Sequence, residues 1–171
     1  MRIRRLIAGL LLLASIAVEV DAQALPTTAG ETLSGKRIVL GDAVKGRSAV
    51  FVIGFTKDAG PACGDWAKAI RGDTAFAGVL VFQVAMLEQA PGFVRGMIKS
   101  GMRKGRTAAE LDSFVVLTQD EKLWRSYLVV TAEKEPYVLL LDASGAMKWH
   151  GHGAAKDLEP LVRAAKTGSR E

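Results

Sequence analysis

The chain has a single cysteine, Cys63, and a thiol acts as a nucleophile only as its thiolate. Pro61 fits the first turn of a helix, which places Cys63 where the helix dipole favours an anion. Lys57 would add to that effect, while Asp58 and Asp65 would oppose it. The spacing supports a second outcome. Cys63, Trp66 and Ile70 recur at steps of three and four, so the sulfur shares an apolar stripe and packs as a small hydrophobe. Burial is the commoner state for cysteine.

Two histidines follow near the C-terminus, in His150-Gly-His152. Alternation along a strand turns both imidazoles to one side, and a pair of imidazoles forms part of many copper and zinc sites. The plainer alternative is two solvent-facing rings at a strand end. Glu135 is a further candidate ligand. A third group is basic: Arg95, Lys99 and Arg103 recur at a spacing of four, followed by Lys104 and Arg106. Such a row suits an anionic membrane surface or an acidic partner, or a solvated helix face. With one cysteine there is no internal disulfide, no CxxC pair and no cysteine-rich zinc site. Nothing in the residues requires a cofactor.

These residues must be held by alternating strands and helices. Residues 37–40 read as a short strand. Residues 49–55, all apolar apart from Gly54, suit a central strand buried on both faces. After the loop 56–60 comes the helix of Cys63. A second buried strand spans 79–85, and Pro91 opens a helix with Phe93, Val94, Met97, Ile98 and Met102 along one side. A third strand covers 113–117. Thr118-Gln-Asp-Glu121 has the capping-box pattern before a short helix carrying Leu123, Trp124, Tyr127 and Leu128. A hairpin is expected over 137–150, turning at Ala143-Ser-Gly145. Asp157 caps a last helix with Leu158, Leu161, Val162 and Ala165 inward.

The first 24 residues stand apart. Arg2, Arg4 and Arg5 precede an apolar run over 6–18, and Ala22-Gln-Ala24 gives a small-x-small cleavage pattern. The run of about 13 residues is too short for a bilayer core of about 30 Å. The expectation is a signal peptide over 1–24, cut after Ala24, and one domain over 25–171 in the periplasm or secreted. The mature charge of +4 is mild and not interleaved with aromatic residues, which argues against nucleic-acid binding.

The element order and four stretches resemble the thioredoxin-like superfamily, in its exported redoxin branch of TlpA-type thiol reductases, Sco-type copper chaperones and peroxiredoxins. Residues 33–42 resemble the branch's first strand and turn. Phe51-Val-Ile-Gly-Phe-Thr56 and Gly60-Pro-Ala-Cys63 resemble its active-site strand and helix start. Glu135-Pro136 stands where the branch often has a cis-proline, and residues 141–149 resemble its closing strand-turn-strand. The resemblance implies a mixed α/β sandwich with a central sheet flanked by helices, a closing hairpin and a C-terminal helix. It also implies a groove lined by Thr56, Gly60, Pro61, Glu135 and Pro136.

The departures are informative. Dithiol members carry two cysteines flanking two residues, but here glycine holds the attacking position and only Cys63 keeps sulfur. A dithiol/disulfide cycle within one chain is therefore not expected. The copper-chaperone pattern lacks a cysteine and its histidine, and Thr56 lies seven residues before Cys63, unlike the peroxiredoxin spacing. The expected function is a non-catalytic binding or assembly role toward a protein or peptide in the cell envelope. The alternatives are a single-cysteine thiol oxidoreductase or peroxidase, and a copper or zinc metallochaperone using His150 and His152, which the resemblance implies would approach Glu135 and Cys63 at one rim.

Overall fold

A computed structural model describes residues 25–168. The predicted leader and its cleavage point lie outside the described residues. The sheet contains β1 (Ala29–Thr32), β2 (Arg37–Val39), β3 (Ala49–Gly54), β4 (Leu80–Met86), β5 (Phe114–Leu117), β6 (Tyr137–Leu141) and β7 (Met147–His152). Their spatial order is β2-β1-β5-β4-β3-β6-β7. The central strands β3, β4 and β5 run parallel, and the outer pairs are antiparallel. The helices are α1 (Leu40–Ala43), α2 (Gly60–Gly72), α3 (Gly92–Arg103), α4 (Ala108–Asp112), α5 (Glu121–Tyr127) and α6 (Glu159–Gly168). The expected mixed sheet, closing hairpin and C-terminal helix are all present.

The apolar run that forms β3 is buried over its whole length because helices cover both faces. Phe51 and Ile53 face a core shared with Phe82, Val84, Leu139, Leu141 and the α5 residues Trp124 and Tyr127. Val50 and Val52 face the opposite layer, with Cys63, Trp66 and Ile70 from α2 and Leu161 from α6. Each fully buried large apolar side chain contributes roughly 1.5–3 kcal/mol, so the two layers together fix the position of α2. Asp157 caps α6 as expected, its Oδ1 accepting from the Glu159 backbone N–H at 2.8 Å.

Two local expectations are corrected. The capping box forms at Thr107 and Glu110, at the start of α4, and not at Thr118 and Glu121. Asp120 takes a left-handed conformation, φ 64°, immediately before α5, and its carboxylate accepts from the Thr28 hydroxyl at 3.0 Å. The Glu121 backbone N–H then donates to Glu88 Oε2 at 2.6 Å. The first turn of α5 is thus satisfied by a carboxylate from the β4–α3 loop.

The second correction concerns α3. Val94, Ile98 and Met102 are half-buried, but Phe93 is 85% exposed and Met97 74% exposed. The helix is held through its cations instead. Arg95 donates to the Leu87, Glu88 and Ala90 carbonyls, Lys99 pairs with Glu31 at 2.9 Å, and Arg103 donates to the Leu33 carbonyl at 2.7 Å. Pointing the basic row at β1 and the loop after β4 turns part of the apolar row to solvent.

Candidate functional site

The parallel strands β3, β4 and β5 end on one rim, where open α/β sheets place their sites. β3 ends at Gly54. Phe55 and Thr56 lead into a tight turn over Lys57–Ala59, and α2 starts at Gly60 with Pro61 in its first turn. Gly60 and Pro61 are exposed, and a Cβ placed on Gly60 would meet nothing within 4 Å. Gly60, the position the resemblance matched to an attacking cysteine, therefore faces open space.

Cys63 lies one helical step inward and is 6% exposed. A Cβ placed on Gly54 would lie 3.1 Å from its Sγ and 3.5 Å from the Ala59 Cβ. The thiol is wedged between the end of β3 and the first turn of α2. Burial pushes its pKa from the ordinary 9.0 up to about 12, since the surroundings penalise the anion. Desolvation outweighs the helix dipole, and the sulfur packs as a hydrophobe.

Of the predicted groove residues, Thr56 is tied to the segment that carries Glu135 and Pro136. The Thr56 hydroxyl donates to the Glu133 carbonyl at 3.0 Å, and Lys134 Nζ lies 3.4 Å from Asp58 Oδ2. These contacts join the loop before α2 to the bend before β6. The bend is closed by the Glu135 N–H donating to the Ala132 carbonyl at 3.1 Å. Pro136 is buried at its end, but the cis bond expected there is absent: the described residues contain no cis peptide. The turn over 132–135 already reverses the chain, so the ordinary trans isomer suffices.

Glu135 and His152 also come together, with Oε2 2.6 Å from Nδ1. The His152 ring stacks on Tyr137, centroids 5.2 Å apart and 26° between planes. His150 is exposed and lies on the same side of β7, since it pairs with Leu139 and His152 with Tyr137. Leu139 and Tyr137 belong to the α5 layer, whereas Cys63 belongs to the α2 layer. The sheet therefore separates both imidazole side chains from the sulfur. No group of three His, Cys, Asp or Glu side chains suited to a metal ion occurs among the described residues.

Sequence reasoning read Trp66 as packing alone, and missed Tyr137 and Arg125 at this rim. Trp66 Nε1 donates to the Gly153 carbonyl at 2.8 Å, tying α2 to the segment just past β7. The Tyr137 hydroxyl accepts from the Thr131 and Ala132 backbone N–H groups, at 2.8 and 2.9 Å. Arg125 lies over the Phe55 ring at 4.9 Å and pairs with Glu121 at 2.8 Å and Glu133 at 2.7 Å. The i,i+4 spacing of Glu121 and Arg125 was a legible signal. The contact with Phe55 had none.

No family model matches the sequence, and no curated protein matches it. Solved structures do. A thiol:disulfide interchange protein of the thioredoxin family from Chlorobium tepidum superposes with a TM-score of 0.51 at 19% identity, covering 85% of this chain and 94% of that one. The exposed lipoprotein thioredoxin Etrx1 from Streptococcus pneumoniae gives 0.54 at 16% identity, covering 81% and 97%. BsSco, a member of the Sco family of cytochrome c oxidase assembly proteins, gives 0.57 at 11% identity, covering 85% and 93%. At such identities the likeness is one of fold.

Proposed function

We propose, from the premise that this is a thioredoxin-like redoxin fold, that the chain is an exported docking or assembly protein that binds a protein or peptide without dithiol chemistry. The observation that carries this reading is the state of Cys63: buried, with its thiol pushed up to about 12, and with Gly60 in place of the other sulfur. The fold is shared with redox-related proteins, but the electron-pair chemistry of a dithiol needs a second thiol this chain does not have. The rim built by Thr56, Gly60, Pro61 and Glu135, with the buried Pro136 beneath it, is the docking surface in this reading. Export rests on the leader pattern in residues 1–24 and on the likeness to an exposed lipoprotein.

The test is affinity capture from an envelope fraction with the wild-type chain and with Gly60→Arg, which adds bulk to an open surface. A specific partner lost on substitution supports the reading. Thiol-dependent insulin reduction or peroxide consumption that disappears in Cys63→Ser would replace it with the one-cysteine enzyme.

A further inference from the structure

We propose that the outer face of β7 is a two-histidine metal site, formed by His150 and His152 with Glu135 as the orienting group, and that its ligand class is a divalent transition metal, copper(II) foremost. This goes beyond the docking reading above: its two ligands lie on the face of the sheet opposite α2, and Glu135 alone is common to both.

His150 and His152 stand two residues apart on one side of an edge strand, so about 6.7 Å separates them along the chain. Both rings are exposed. The proposed site requires His150 to turn toward His152, so that both rings meet one ion at metal–nitrogen distances of about 2.0–2.1 Å. The second observation is how His152 is fixed. A carboxylate only accepts, so at 2.6 Å from Glu135 Oε2 the Nδ1 position carries the proton. That leaves the Nε2 lone pair for a metal. Stacking on Tyr137 holds the ring plane, and Tyr137 is itself anchored by two backbone N–H donors. A carboxylate that sets the tautomer and angle of a ligating imidazole is the supporting arrangement of many metal sites.

The rest of the face is compatible with a cation. Lys148, the next outward residue on this side, pairs with Asp142 at 3.2 Å. β7 is the edge of the sheet, which leaves water free to complete the coordination. Two imidazoles plus oxygen donors suit the tetragonal preference of copper(II), which also leads the divalent series in affinity. Cys63, on the other side, takes no part.

The experiment is titration of the purified, untagged protein with copper(II), followed by calorimetry and by electron paramagnetic resonance. One equivalent should bind, with hyperfine coupling to two imidazole nitrogens. His150→Gln and His152→Gln should each weaken binding at least tenfold, with far-UV circular dichroism unchanged. Glu135→Gln should weaken it by about tenfold while keeping the two-nitrogen spectrum. Cys63→Ala should leave it unchanged. A stoichiometry well below one, binding that survives both histidine substitutions, or loss of binding in Cys63→Ala would each overturn the site.

Discussion

Cys63 Sγ occupies the space into which a side chain on Gly54 would grow, 3.1 Å from where the Cβ would stand. Glycine at the end of β3 and sulfur in the first turn of α2 are therefore one packing unit. Gly54→Ala should destabilise the protein by about 1–3 kcal/mol, the usual cost of overpacking. Cys63→Ala should recover much of that loss in the double variant. Urea unfolding of the four proteins checks it through the coupling term; additive effects would refute the packing unit.

Burial of the thiol sets a pH dependence. The unfolded chain releases the Cys63 proton near the ordinary 9.0, while the folded chain holds it to about 12. Above pH 9 the unfolded state binds fewer protons, so stability falls as pH rises, by up to about 1.4 kcal/mol per pH unit from this group. Below pH 9 its contribution is fully present. Urea unfolding between pH 8 and 10.5 should show a steeper decline for wild type than for Cys63→Ala. Thiol reagents at pH 8 should label the native protein only on unfolding.

Arg125 is the cation for the buried Glu121 and the exposed Glu133 at once. Arg125→Met strands the Glu121 carboxylate, at a cost of about 2–3 kcal/mol. This is less than the roughly 3–5 kcal/mol of a fully enclosed pair, because Arg125 still reaches water. Glu121→Gln in the same chain should restore most of it, as measured by thermal or urea unfolding.

Trp66→Phe removes the indole N–H that reaches the Gly153 carbonyl while keeping an aromatic ring beside Trp149. The expected loss is about 1–2 kcal/mol, for a part-buried carbonyl left without its donor. Amide exchange should speed up at residues 151–153 and stay unchanged in β3. A uniform change across the sheet would contradict a local latch.

Much of this was readable in the sequence because it is local. The unbroken apolar run of β3, the Cys63-Trp66-Ile70 stripe and the closing hairpin follow from periods of two and 3.6 residues, and the structure keeps all three. Strand alternation also put His150 and His152 on one side. What it did not contain was the opposite parity of Cys63, since that depends on which helix covers which face. The orientation of α3 was hidden for the same reason. The carbonyls that receive Arg95 and Arg103 belong to residues 33 and 87–90, and only the folded chain brings them there. The cap of α5 likewise comes from Glu88, 33 residues upstream.

The fastening of α3 determines where the molecule breathes. No residue of that helix is fully buried, and the Lys99–Glu31 pair that helps hold it is weakened by salt. Amide exchange over residues 92–103, whose outer surface carries Phe93 and Met97, should therefore quicken with rising ionic strength while that of the central strands stays unchanged.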